Sequence, residues 1–138
     1  MPQPDGPKSA SGEVALAYIV ALNTHDPEQI AALVADDFVN EHTSALGSSL
    51  IGRDAYKARL PSFLASFEGL RYEVEDVIVD DARVALPYTL TARCRGSDGE
   101  SRPILIRGMF RFRIEHGLIA HRVDYWDSKV YETQVEGR

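Results

Sequence analysis

Several of the usual sources of chemistry are missing from this chain. One cysteine, Cys94, stands in 138 residues, so no intramolecular disulfide and no thiolate metal cluster can form, as expected of a chain kept in the reducing cytoplasm. The four histidines include no pair at H-x-x-x-H or H-E-x-x-H spacing, so no metal site is expected. There is no glycine-rich phosphate loop and no G-x-S-x-G elbow, which argues against a nucleotide cofactor and against a serine hydrolase. Fifteen Lys and Arg against 21 Asp and Glu leave a net charge of −6 without a basic block, which excludes ordinary nucleic-acid binding. Apolar runs such as Val14 to Leu22 are far below a spanning length, so no membrane partner is expected. Residues 1 to 11 carry three prolines and no apolar core of the secretory kind, and read as a flexible leader before a single domain over 12 to 138.

What remains is a globular composition, 44% hydrophobic and 26% charged, with two kinds of periodicity. Val14, Leu16, Ala17, Ile19, Val20 and Leu22 form a broad helical stripe. Asp26-Pro27 restarts the chain as N-cap and first helical residue, and Ile30, Ala31, Leu33 and Val34 predict an inward face for a second helix ending near Asp36. Phe38 to His42 alternates briefly, and a Ser/Gly-rich loop follows from Thr43 to Ile51. A third helix opens at Gly52-Arg-Asp-Ala-Tyr56, with Ala55, Leu60, Phe63, Leu64 and Phe67 as its apolar positions and Gly69 at its end. The period then changes to two over Leu70 to Val79, Arg83 to Cys94, Pro103 to Ile114 and Leu118 to Trp126, predicting four antiparallel strands joined by short turns. Three helices followed by such a sheet form an α+β plan in which the helices cover one face. The polar face of the third strand, with Leu105, Arg107, Met109, Arg111 and Arg113, reads as a solvated or dimer-facing side.

The run Leu118-Ile-Ala-His-Arg-Val-Asp-Tyr-Trp-Asp127 holds the chemistry-bearing candidates. Alternation puts Arg122, Asp124 and Trp126 on one face and His121, Val123, Tyr125 and Asp127 on the other. A carboxylate buried beside an indole has its pKa raised by desolvation, which suits it to proton transfer, and Asp124 is the candidate. The bland alternative is a structural carboxylate paired with Arg122. Asp127, at the strand end, reads as the N-cap of a last short helix.

The order of these elements resembles the NTF2-like α+β cone, and within it the SnoaL-like polyketide cyclase branch. The residues that carry the resemblance are Tyr18-Ile with Asn23-Thr-His-Asp26, Ala35-Asp-Asp-Phe-Val-Asn-Glu-His42, Ile51-Gly-Arg-Asp54, Gly108-Met-Phe-Arg-Phe112 and His116-Gly-Leu-Ile ahead of Asp124-Tyr-Trp-Asp127. The resemblance implies three helices packed on a curved antiparallel sheet enclosing a pocket. It also implies a small, largely apolar, oxygenated ligand, cofactor-independent acid/base chemistry of the isomerase, cyclase or hydrolase type, and a homodimer formed through the sheet. A non-catalytic binding or assembly module of the same fold is the alternative, because this fold hosts both.

The last-strand aspartate of SnoaL-like cyclases looks like Asp124 here, and their conserved asparagine looks like Asn40. Limonene-epoxide hydrolases are similar, but Phe38 stands in place of their tyrosine and Arg93-Cys-Arg95 in place of their Arg-x-Asp pair, which argues against epoxide opening. The oxyanion-hole tyrosine of ketosteroid isomerases falls at Tyr18, their base at His42 and their second oxyanion acid at Gly108, so two of their three groups have changed. Asp124, His42 and Asn40 are therefore the catalytic candidates, with Tyr18, Phe38, Tyr88, Trp126 and Arg122 expected around the substrate.

Overall fold

The computed structural model describes residues 6–137. Helix α1 runs Gly6–Thr24 and α2 Pro27–Ala31; strands β1 and β2 are Val34–His42 and Leu50–Ile51; α3 is Arg53–Ser66. Strands β3 (Glu68–Val74), β4 (Ile78–Asp80), β5 (Arg83–Arg95), β6 (Ser101–Glu115) and β7 (Leu118–Tyr125) follow, and α4 (Ser128–Glu136) ends the chain. The sheet order is β2-β1-β7-β6-β5-β3, with β4 beside β5. Every neighbouring pair is antiparallel except β1 and β7, which run parallel. Residues 1–5 of the expected leader lie outside the described residues, and from Gly6 onward that segment is helix.

The core lies between the helices and the concave face of the sheet. Ala15, Tyr18, Ile19 and Leu22 recur at helical spacing and are buried, while Leu16 and Val20, expected in the same stripe, are exposed on the far side of α1. Even-numbered residues of β5 from Val84 to Cys94, and Ile104, Ile106, Phe110, Phe112 and Ile114 of β6, point into the same core. In α3 the inward row is Tyr56 and Leu60, followed by the half-buried Phe63 and Phe67; Ala55 is exposed.

Three expectations are corrected. The second helix keeps its predicted start, with Asp26 accepting from the Glu28 amide at 2.9 Å and Pro27 in the first turn, but it stops at Ala31. Leu33 leads into β1 and Val34 opens it, and the backbone there pairs with β7: the Ile119 amide donates to the Leu33 carbonyl at 2.9 Å. The strand expected over Leu70 to Val79 is two strands, β3 and β4, both paired with β5. The sheet is therefore larger than a four-stranded meander and not wholly antiparallel.

Two side-chain amides close exposed sheet edges. Asn23 donates to the Tyr72 carbonyl at 3.0 Å and accepts from the Tyr72 amide at 2.8 Å, standing in for a strand beside β3. Gln134 does the same for Leu105, at 2.9 and 2.6 Å, where β6 extends past the end of β7. The Asn23-Thr-His segment thus works as an edge clamp, aided by His25 Nε2 2.6 Å from the Leu70 carbonyl.

Candidate functional site

The parallel pairing of β1 with β7 builds the site. Its register sets Asn40 beside Arg122 and His42 beside Asp124, so four polar residues from two distant segments share the concave face. Arg122 and Asp124 are 5% and 6% exposed. Trp126, just past the strand, continues the same face, as the alternation of the sequence predicts.

Arg122 turns its guanidinium away from Asp124. Its Nη1 donates to Tyr18 Oη at 2.7 Å, and its Nη2 donates to Asn40 Oδ1 at 2.5 Å and lies 3.3 Å from His42 Nε2. The cation also lies 4.9 Å from the ring centre of Phe110 and 5.8 Å from that of Tyr56. Its Nε is buried with no partner among the described residues. A guanidinium only donates, so Asn40 must present its oxygen to Arg122, which leaves its Nδ2 to donate elsewhere.

Asp124 accepts from Tyr88 Oη at 2.7 Å through Oδ1, and its Oδ2 lies 3.6 Å from His42 Nδ1. Burial raises its pKa above the ordinary carboxylate value, against the opposing pull of Arg122 and the Tyr88 hydrogen bond. Gly108 makes the Tyr88 contact possible. It faces Tyr88 across β5 and β6, and a Cβ there would lie 2.4 Å from the Tyr88 hydroxyl oxygen and 2.8 Å from the Tyr125 carbonyl oxygen. The glycine is the clearance that lets Tyr88 reach the aspartate.

His42 sits between two donors. The indole Nε1 of Trp126 donates to its Nδ1 at 3.2 Å, and the Arg122 guanidinium faces its Nε2. An imidazolium would have to aim both of its own N–H groups at N–H groups. Burial first, then the charges of Arg122 and Arg59, bring its pKa down to about 4. At neutral pH His42 is an uncharged imidazole.

Two adjoining cavities open over these residues and share His42, Phe63, Tyr72 and Asp124. The first, of about 70 Å³, is walled by Asn40, Tyr56, Arg59 and Arg122; the second, of about 60 Å³, by Phe67, Tyr88, Trp126 and Tyr131. They are a polar lobe and an aromatic lobe meeting at Asp124, each with room for several water molecules at about 10–15 Å³ apiece.

Of the residues singled out from sequence, Asp124, His42, Asn40, Arg122, Tyr88 and Trp126 come together on these walls. Tyr18 and Phe38 stand one layer behind. Tyr18 is fully enclosed by α1, Arg122 and the rings of Phe110 and Phe112, and Phe38 packs edge-on against Tyr56 at 4.9 Å. Tyr56 and Tyr72, which do line the polar lobe, went unnoticed in the sequence. The spacing of Tyr56, Leu60, Phe63 and Phe67 carried the signal, because it marks the inward row of α3. Asp127 caps α4, accepting from the Lys129 amide at 2.9 Å, and its role is structural. Among the described residues no cluster of His, Cys, Asp or Glu is arranged to hold a metal ion, and no helix is long and apolar enough to cross a membrane.

A helix-covered curved sheet, with its polar residues gathered on the concave face around a last-strand aspartate, defines the NTF2-like class of α+β cones. The chain belongs to the SnoaL-like domain family, which matches residues 15–122. Among solved structures, a candidate polyketide cyclase of Xanthomonas campestris is 21% identical, with 95% of this chain and 100% of that one covered at a TM-score of 0.82. An LEH-like epoxide hydrolase of M. tuberculosis is 18% identical over 93% and 91% of the two chains, at a TM-score of 0.76. A protein of Catenulispora acidiphila with a ketosteroid isomerase-like fold, solved with trimethylamine, is 17% identical over 89% and 92%, at 0.79. No curated protein matches the sequence. At these identities the likeness establishes the fold, and the chemistry must come from the site.

Proposed function

We propose that this protein binds a small, largely apolar molecule bearing a carbonyl or hydroxyl oxygen and moves a proton on it without a cofactor, with Asp124 as the acid/base. The observation that supports this best is the state of Asp124: a buried carboxyl, hydrogen-bonded to Tyr88 through Oδ1 and with Oδ2 3.6 Å from His42 Nδ1, at the junction of a polar and an aromatic lobe. Desolvation makes its carboxylate a stronger base than an exposed one and its acid form easier to regain, as a group that must both take and return a proton requires. In the ionised form it takes a proton from the carbon next to a substrate carbonyl. The C–H electron pair moves onto the carbonyl oxygen, and return of the proton, or attack of the enolate carbon on a second carbonyl, gives isomerisation or cyclisation. Neutral His42 and Asn40, whose Nδ2 is not committed to Arg122, stand beside Asp124 on the wall of the polar lobe, and Trp126, Phe67 and Tyr131 are an aromatic bed for the apolar body.

Hydrogen–deuterium exchange tests the proposal. In D₂O the protein should catalyse deuteration next to the carbonyl of aryl ketones such as 1-tetralone, followed by NMR, and Asp124→Asn should slow it about a thousandfold. Equal rates for the variant and the native protein would refute the assignment. Pairing of two copies across the outer face of the sheet, where Leu105 is 50% exposed, belongs to the same proposal. A monomer by light scattering removes that part alone.

A further inference from the structure

We propose that Tyr56 is the hydrogen-bond donor to the substrate oxygen in the polar lobe, with Tyr18 and Arg122 behind it as positioning residues that dictate where its proton points. This rests on the acid/base reading of the site and names the group that receives the charge developing opposite Asp124.

Proton bookkeeping in the buried layer carries the inference. Arg122 has no acceptor, so the Tyr18 oxygen accepts from its Nη1 at 2.7 Å. Among the described residues the Tyr18 hydroxyl touches one other polar atom, the oxygen of Tyr56, in a short contact. If Tyr56 donated to Tyr18, the Tyr18 proton would be stranded in a fully enclosed apolar site, at the full cost of an unmet donor. Tyr18 therefore donates to Tyr56. The Tyr56 oxygen is then occupied as an acceptor, and its own proton is free to leave the layer on the cavity side, where Tyr56 forms part of the polar lobe and Tyr18 does not. The chain Arg122 to Tyr18 to Tyr56 is headed by a cation, and each bond polarises the next in the same direction.

The ring that presents this hydroxyl is held on two sides, edge-on to Phe38 at 4.9 Å and 5.8 Å from the Arg122 guanidinium carbon. Phe38, which lacks a hydroxyl of its own, braces the donor. Burial raises the pKa of Tyr56 well above that of a free tyrosine, so the group stays protonated. Asn40, with its oxygen committed to Arg122, offers Nδ2 to the same lobe, and two donors facing one buried carboxyl form an oxyanion site suited to a ketone that becomes an enolate.

The probe is 4-nitrophenol, whose phenolate absorbs in the visible and mimics an enolate oxygen. The native protein should prefer the phenolate, so that the bound probe ionises at a lower pH than the free one. Tyr56→Phe should weaken phenolate affinity about ten- to hundredfold and abolish that preference. Tyr18→Phe retains the donor but releases its orientation, and should lose a smaller part of the same preference. Replacement of Tyr56 by 3-fluorotyrosine, which keeps shape and packing and makes a stronger donor, should tighten binding. Asp124→Asn should keep or improve phenolate binding even though it removes proton exchange, which separates this proposal from the acid/base reading. Unchanged phenolate affinity in Tyr56→Phe, or failure of the native protein to prefer the phenolate, overturns the inference.

Discussion

Arg107 and Arg122 sit on opposite faces of the same sheet and follow opposite rules. The Arg107 side chain is 73% exposed and makes two hydrogen bonds to Glu75, at 2.7 and 3.0 Å, with Thr89 donating to the same carboxylate. Arg122 is buried and spends its donors on neutral groups and aromatic faces. An exposed ion pair is solvated whether or not it forms and contributes little, whereas a buried cation without a salt bridge is costly unless its charge does something. The convex face carries exposed ion pairs, and the concave face buries its polar groups around the cavities. The arginine-rich alternation of β6 is conspicuous in sequence, yet the arginine that stands in the candidate site is the solitary one on β7.

The comparison is broken most severely at Asp124. Asp124→Asn should cost about a thousandfold in proton exchange while raising Tm by a few degrees, since it removes a carboxyl that folding must desolvate; exchange NMR and a thermal melt check the two halves. With a folded-state pKa above its unfolded one, Asp124 favours the folded state below the ordinary carboxylate pKa. That contribution is lost as the pH rises through its folded value.

His42 has the opposite sign. The unfolded chain takes up its proton near pH 6.5, and the folded protein refuses it until about pH 4. Its contribution is complete above 6.5 and disappears as the pH falls to about 4, a loss of about 3 kcal/mol. In urea titrations the native protein should lose about 3 kcal/mol more than His42→Asn between pH 7 and pH 4.

Gly108→Ala should come next, at about 1–3 kcal/mol in denaturant unfolding, because the added methyl meets the Tyr88 hydroxyl and the Tyr125 carbonyl, neither of which can withdraw without loss. The same change should depress exchange activity by displacing Tyr88 from Asp124. On the convex face Glu75→Gln should move Tm by no more than about 3 °C at neutral pH, despite a carboxyl pKa drawn down to about 2 by its Arg107 and Thr89 hydrogen bonds. A larger shift there would erase the distinction between the faces.

The strand alternation from Leu118 to Trp126 and the helical stripes were legible in the sequence, because both are local periodicities. They were enough to place Arg122, Asp124 and Trp126 on one face and the N-caps at Asp26 and Asp127. The parallel pairing of β1 with β7 was not, since it joins residues some eighty positions apart through backbone bonds that any side chains permit. Without it Asn40 and His42 had no visible neighbours, and Leu33 and Val34 looked like the end of a helix. Tyr56 was lost for a related reason. Its hydroxyl gains meaning only from Tyr18 and Arg122, which reach it from α1 and β7.

Trp126 is the chain's only tryptophan, it lines the aromatic lobe, and its indole N–H is bonded to the one imidazole of the site. The protein therefore has a fluorophore at the place where a ligand would arrive, with no second indole to dilute its signal. Emission from the native chain should report occupancy of the aromatic lobe directly. Since imidazolium quenches an adjacent indole, it should also dim as His42 gains its proton near pH 4.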